Sequence, residues 1–457
     1  MTRPQIGIVG GGLAGLSAAI ACGDAGAQIT LFEARTRLGG ATWSSERDGL
    51  WIDNGQHVFL RCCESYIAFL RRLGAMDLVT IQDRLDIPVL MPGRAMARLR
   101  RGALPAPLHM TGSLLRYSHL SVLDRLRVGH AALALRELDL ADPKLDKQSF
   151  GGWLREHGQS EAAIERFWDL FTRATINLRP RDASLALAVK VFQTGLLTDP
   201  RAGEIGITKV PLSQLHAEPA AREIEKLGGA VQTRAPVEAV ECGSQGEAGV
   251  RVRDRVHPFD AVIVATPHDA AAEILPDEAK VDREALRALG ASPIVNLHVV
   301  YDRVVMEEPF AAGVETPMQW IFDRSAAAGV KGGQCLTVSL SVADAYVGAS
   351  REQLRERFEP ALQRLLPAAV DAQIVEFIVT CERAATFRGA PGTAAKRPKT
   401  ETGVRAITLA GAWTDTGWPA TMEGAVRSGY ADAAAATGAG GLVEDVPTGR
   451  VAGLLGL

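Results

Sequence analysis

Cysteine is scarce and scattered. The chain has six in 457 residues, with no C-x-x-C pair and no Cys/His spacing suited to a metal. They read as buried or free thiols in a reducing compartment, and adjacent Cys62 and Cys63 are poorly placed to bond to each other. An excess of one charge is also missing. Fifty Lys and Arg against 53 Asp and Glu leave a formal net charge of -3, which argues against a nucleic-acid partner. No apolar run reaches the ~18 residues needed to cross a bilayer. Aromatic residues are only 5% of the chain, so Ala and the aliphatic residues carry most of its 47% hydrophobic fraction, with 46 Gly outside it. No internal repeat is present. The first buried-strand pattern, Gln5 to Val9, starts so early that no signal peptide is expected ahead of it. A cytoplasmic location follows as an expectation, peripheral to the inner face of the membrane at most.

What the chain does have is a set of short apolar runs alternating with helical patterns. Gln5 to Val9, Gln28 to Glu33, Asp260 to Thr266 and Ala406 to Gly411 read as buried parallel strands. Leu13 to Ala25, Leu212 to Lys226, Arg351 to Leu366 and Met422 to Thr437 read as helices. Pro293 to Tyr301 and Cys335 to Val342 read as strands of a second sheet, whereas Arg84 to Pro200 reads as mostly helical. This predicts an α/β protein with a discontinuous Rossmann-like domain over residues 1–83, 205–290 and 401–437. A second, mixed-sheet domain with a helical insertion is expected over 84–204 and 291–400. The tail, 438–457, is rich in Gly and small apolar residues; a loose terminus is expected, with a contact through Val451, Leu454, Leu455 and Leu457 as the alternative.

Gly10-Gly11-Gly12-Leu13-Ala14-Gly15 fits G-x-G-x-x-G between a strand and a helix, the context that gives the motif meaning. Gly10 permits a tight turn, Gly12 lets backbone approach a diphosphate, and Gly15 lets the helix pack closely. The helix start at Leu13 and Ala14 offers unpaired N–H groups and partial positive charge. Glu33 ends the next strand about 20 residues on, where a carboxylate accepts ribose hydroxyls and disfavours a 2′-phosphate.

Three further features point to FAD over NAD. Glu33-Ala34-Arg35 is followed by Arg37-Leu38-Gly39-Gly40, which resembles the R-x-G-G doublet of the flavin amine oxidase and phytoene desaturase superfamily, although Ala41 stands where those proteins usually carry Arg. Val237 to Val240 resembles the strand that sets backbone against adenine. Leu409 to Asp415, continued by Thr421-Met422-Glu423-Gly424-Ala425 and Gly429, resembles the C-terminal FAD motif, in which relatives carry Asp after Gly411. Here that position is Ala412, so Asp415 or the helix start at Met422 is expected to replace it. The small residues Gly424, Ala425 and Gly429 are expected to lie against the flavin.

Asp53-Asn54-Gly55-Gln56-His57, Pro211 to His216, and Thr416-Gly417-Trp418-Pro419-Ala420-Thr421 narrow the resemblance to the hydroxysqualene dehydroxylases, and the likeness covers nearly the whole chain. That resemblance implies a flavoenzyme acting on an apolar C30 isoprenoid, in which an allylic hydroxyl is lost and hydride gained. Such chemistry needs protonation of the leaving hydroxyl and a dry pocket. Asp53, Gln56 and His57 are the candidates for acid and orientation, with Asp415 weaker. Trp320, Phe322, Trp413 and Trp418 are candidate tunnel aromatics or ordinary core. The segment from Leu104 to Leu138, with Arg116, Arg125 and Arg127, suits either a bilayer surface or packing inside the second domain. The electron donor is not identified by sequence. Three other readings stay open: a carotenoid or squalene desaturase running the chemistry in reverse; an amine oxidase, for which Lys209 is the nearest lysine; and a prenyl-binding escort without flavin.

Overall fold

The computed structural model describes residues 3–243 and 246–438, so the tail contact proposed for Val451 to Leu457 lies outside the described residues. A five-stranded parallel sheet is ordered Ala230–Gln232, Gln28–Phe32, Gln5–Val9, Ala261–Val264, Ile407–Leu409. Its strands come from the start, middle and end of the chain. They are continuously apolar because both faces are covered: Ile6, Ile8, Val262, Ile263 and Val264 have no solvent exposure. One face carries the helices Leu13–Asp24 and Met422–Thr437. Against the other lies an antiparallel sheet of Val237–Cys242, Ala248–Val252 and Arg255–Phe259, whose Phe259 fills the space beside Gly7.

The two helices touch backbone to backbone. A Cβ on Gly429 would lie 2.1 Å from Ser17 Oγ and 2.3 Å from the Ala14 carbonyl. Gly429 thus serves helix packing, not the flavin contact expected of it. The first and last helices among the described residues are locked together at this point.

The second sheet has seven strands, ordered Ile374–Thr386, Ser292–Tyr301, Gln334–Ser341, Trp320–Asp323, Phe310–Gly313, Asp86–Leu90, Ala97–Arg100. The helical reading of Arg84 to Pro200 therefore needs correction at its start. Residues 86–100 form a hairpin that ends this sheet, and helices begin only at Leu108. Pro88 lies inside the first strand and weakens its sequence signal. One face of the sheet, with Val295, Leu297, Val338 and Leu340, packs on Leu354, Phe358 and Leu362 of the helix Arg351–Leu365. Helices between Leu108 and Leu197 join the larger core that contains Phe310 and Phe322.

Within that layer, helix Val122–Arg136 buries Val128, Ala131 and Leu135. Leu123, Leu126 and Leu133 lie on its other side and are exposed, at 55%, 58% and 46%. Val122, Leu104, Leu108 and Leu115 are exposed nearby in the chain. Among the described residues, no helix is long and apolar enough to cross a membrane.

Candidate cofactor and active site

The glycine turn is built as its sequence demands. Gly10 has φ +111°, and a Cβ there would lie 2.5 Å from the Ala265 carbonyl. A Cβ on Gly15 would lie 1.9 Å from the Gly10 carbonyl. At Gly12, by contrast, a Cβ meets nothing nearer than Gly40 Cα at 3.8 Å, so the backbone here borders an opening. The amides of Leu13 and Ala14, first in a twelve-residue helix, have no acceptor among the described residues. Glu33 closes the same rim. Its Oε2 accepts from the Gly11 amide and its Oε1 from the Arg35 amide, both at 2.8 Å. The Ala235 amide donates to the Glu33 carbonyl and the Arg234 amide to the Arg35 carbonyl. These bonds carry the chain past exposed Ala34 and into Val237 beside the rim.

The doublet packs directly on the turn. The Gly39 amide donates to the Gly11 carbonyl at 2.8 Å, and a Cβ on Gly40 would lie 2.8 Å from Gly12 Cα. Arg37 stacks its guanidinium 3.7 Å over the Trp43 ring. Burial lowers its pKa, with nearby Arg35 adding to the effect. From the chain's far end, the Gly411 amide donates to Ser428 Oγ at 2.8 Å, and Trp413 Nε1 donates to the Thr266 carbonyl at 2.9 Å. Thr421 caps the terminal helix by accepting from the Gly424 amide at 3.1 Å, which leaves Met422 as its first residue. Asp415 is exposed, and its amide is tied to the Pro398 carbonyl at 2.8 Å.

These parts suit a flavin dinucleotide. Three buried polar atoms flanking the turn, the doublet and the loop, namely Arg37 Nε, Trp43 Nε1 and Thr266 Oγ1, have no hydrogen-bond partner. Buried polar atoms are rarely left so. Gly10 to Gly15 would hold the diphosphate, Glu33 the ribose, Val237 the adenine side, and Gly411 to Met422 the flavin side.

The Asp53–His57 loop separates in role on inspection. Asp53 is 8% exposed and fully engaged. Its Oδ1 accepts from Ser44 Oγ at 2.6 Å and the Leu212 amide at 3.1 Å, and its Oδ2 pairs with Arg324 Nη2 at 2.9 Å. These contacts fix its carboxyl group in place. His57 Nδ1 lies 2.9 Å from the Gly55 carbonyl. A carbonyl only accepts, so Nδ1 carries the proton and neutral His57 presents Nε2 as an acceptor. Loss of water around the half-buried ring lowers its pKa and favours that neutral form. The Gln56 amide donates to Asn296 Oδ1 at 3.2 Å, which ties the loop to the second sheet.

Two more histidines stand behind the loop, both buried and neutral. His216 Nε2 meets Tyr66 OH at 2.7 Å, and desolvation takes its pKa down to about 3. His298, between Thr337 and Thr380, is lowered to about 4 for the same reason.

Strand register places Glu382, Thr380, Asn296, His298, Ser339, Thr337, Trp320, Phe322 and Phe310 on one sheet face. That face is polar beside the loop and aromatic away from it, where Trp320 and Phe322 stack at 6.1 Å. The other two candidate tunnel aromatics sit elsewhere: Trp413 is tied to Thr266, and Trp418 lies in the core of the first domain. Sequence reasoning missed Arg324, Asn296 and Glu382. Glu382 is half-buried and lies 3.4 Å from Asn54 Nδ2. It also acts electrostatically on both Arg37 and His57. No local spacing marks these residues, because strand pairing brings them to the loop from more than 200 positions away.

A glycine-lined dinucleotide crevice that meets the polar end of a mixed sheet defines a flavin-dependent oxidoreductase. The family model for flavin containing amine oxidoreductases matches residues 13–437, and the chain belongs to that family, with FAD as its cofactor. It is 28% identical over 429 residues to a hydroxysqualene dehydroxylase of Rhodopseudomonas palustris, spanning 92% of this chain and 96% of that protein. It is 25% identical to a probable zeta-carotene desaturase of Synechococcus elongatus, spanning 93% and 97%. A solved oxidoreductase from Methanosarcina mazei shares the fold with a TM-score of 0.73 at 17% identity, over 93% of this chain and 99% of that one.

Proposed function

We propose that the chain is an FAD-dependent hydroxysqualene dehydroxylase, replacing an allylic hydroxyl of a C30 isoprenoid with hydrogen. The observation that carries this reading is the sheet face itself, polar at the Asn54–His57 loop and aromatic beyond it. That gradient suits a long apolar chain with one hydroxyl. The near end-to-end similarity to a dehydroxylase supports the same substrate class. Bound FAD, once reduced by a donor, supplies hydride to the carbon.

The protein's own residues have the remaining tasks. The Nε2 of neutral His57 accepts the substrate hydroxyl's hydrogen bond and so fixes its position. Asp53, held by Arg324, Ser44 and Leu212, anchors the loop and keeps a negative charge near the developing allylic cation. Asp53 is taken up by Ser44, Leu212 and Arg324, and the ring proton of neutral His57, on Nδ1, is held by the Gly55 carbonyl, so neither offers a proton to the leaving oxygen. Among the described residues Glu382 is a further carboxyl beside the loop, and we assign its protonated form that donation: the C–O bond breaks as the hydroxyl takes the Glu382 proton and departs as water. Half-buried Trp320 borders the chain, and Phe322 and Phe310 back it from the core. Lys209, the lysine weighed for an amine oxidase, is exposed on backbone bonded to Leu78.

The exposed leucines of helix Val122–Arg136 belong to the same reading as a peripheral membrane contact through which an insoluble substrate arrives. Exposed Arg116 and Arg127 would meet anionic lipid. Arg125 would not, since it is tied to the Leu115 and Leu120 carbonyls.

The test is anaerobic incubation of dithionite-reduced protein with hydroxysqualene. Squalene is the expected product, and Glu382→Gln should slow its formation by about 10²-fold or more while FAD stays bound. If no squalene forms, and oxidised protein instead bleaches on adding polyenes, the desaturase reading replaces this one.

A further inference from the structure

Arg397 is a buried cation without a counter-ion. It is 7% exposed, and among the described residues no carboxylate lies within ion-pair distance of it. Asp415 and Asp146 act on it only from farther away. Burial draws its pKa down to about 10, which still leaves it charged at neutral pH. A buried, unpaired charge is strongly unfavourable, so its position calls for a reason.

Its hydrogen bonds supply one. Nε donates to the Thr414 carbonyl at 3.0 Å, and Nη2 donates to the Ala412 carbonyl and Thr416 Oγ1, both at 3.2 Å. The guanidinium also lies 4.9 Å from the centre of the Phe387 ring. All the polar contacts fall on the loop between the last sheet strand and the terminal helix. With its carbonyls drawn toward Arg397, the loop leaves the amides of Ala412 and Trp413 without an acceptor among the described residues. Ala412 occupies the place where the resembled family carries an acidic side chain.

We propose that Arg397 is a positioning residue for FAD: it moulds the 411–416 loop so that its amides face the cofactor, and its charge favours the more negative, reduced flavin. The backbone amides and the cation together take over the task of the missing acid. This rests on FAD binding alone and not on the choice of substrate.

Equilibrium FAD binding and the flavin midpoint potential test it, with Arg397→Met and Arg397→Lys as variants. Arg397→Met should weaken binding of oxidised FAD about tenfold. It should weaken binding of the reduced form about tenfold further, which lowers the potential by about 30 mV for a two-electron couple. Arg397→Lys keeps the charge but not the forked hydrogen bonds, so the potential should hold while affinity falls. Melting temperatures of apoprotein and holoprotein separate this from a purely structural role, which would lower both equally. The proposal is overturned if folded Arg397→Met retains affinity and potential within twofold and a few millivolts. If that variant does not fold, unchanged FAD affinity in Arg397→Lys overturns it instead.

Discussion

Asp53 and Arg324 are each less than a tenth exposed, and they bond across 271 positions of sequence. Removing one partner strands the other's charge in the interior. Asp53→Asn should therefore destabilise the protein by about 3–5 kcal/mol, and Asp53→Asn with Arg324→Met should recover part of that loss. Urea unfolding of the three proteins checks this; equal stability of the single variant and the wild type would refute it. FAD occupancy should change little, because Asp53 touches none of the residues that flank the diphosphate. At this scale sequence was partly informative. Gly10, Gly12, Gly15 and Glu33 could be placed because their geometry is set within one strand–turn–helix unit. Asp53 could be noticed but its partner could not, since Arg324 reaches it only after the second sheet has formed. Glu382 was invisible for the same reason.

Among the elements, helix Val122–Arg136 shows both the value and the limit of periodicity. Its buried stripe, Val128, Ala131 and Leu135, obeys helical spacing. The second apolar stripe, Leu123, Leu126 and Leu133, also follows helical spacing, and only the fold tells which one faces outward. If the exposed stripe rests on lipid, wild-type protein should sediment with phosphatidylglycerol vesicles. Leu123→Glu with Leu126→Glu should cut the bound fraction about tenfold or more, with the circular dichroism spectrum unchanged. Identical sedimentation of both proteins would exclude this helix as the contact. Strands fared less evenly than helices. The parallel strands were legible as uninterrupted apolar runs, whereas Asp86–Leu90 carries Pro88, and Ile374–Thr386, at the sheet edge, mixes polar and apolar residues with no regular period. The terminal helix Met422–Thr437 was clear from end to end, helped by Thr421 at its cap.

For the whole molecule, the buried histidines set a direction for pH dependence. His216 and His298 have folded pKa values of about 3 and about 4, below the unfolded value of about 6.5. Between those limits the unfolded chain binds protons that the native protein refuses. Stability is therefore fully present above about pH 6.5 and is lost as pH falls, at about 1.4 kcal/mol per pH unit for each histidine. Asp432 opposes this. It is fully buried, and desolvation raises its pKa well above the usual carboxyl range against a weaker opposing pull from the Thr408 hydroxyl, so its contribution grows as pH falls. The apoprotein's melting temperature should drop between pH 7 and pH 5, and more steeply in Asp432→Asn. A melting temperature that stays level or climbs over that interval would contradict the neutral assignment of His216 and His298.

The parallel sheet closes with Ile407–Leu409, and the first helix is seated against Gly429. A chain still emerging from the ribosome has its phosphate-gripping turn early but lacks the closing strand and helix until residues 407–437 have been made. Stable loading with FAD is therefore expected only once those residues are in place, and a polypeptide truncated before Ile407 should fail to retain its yellow colour.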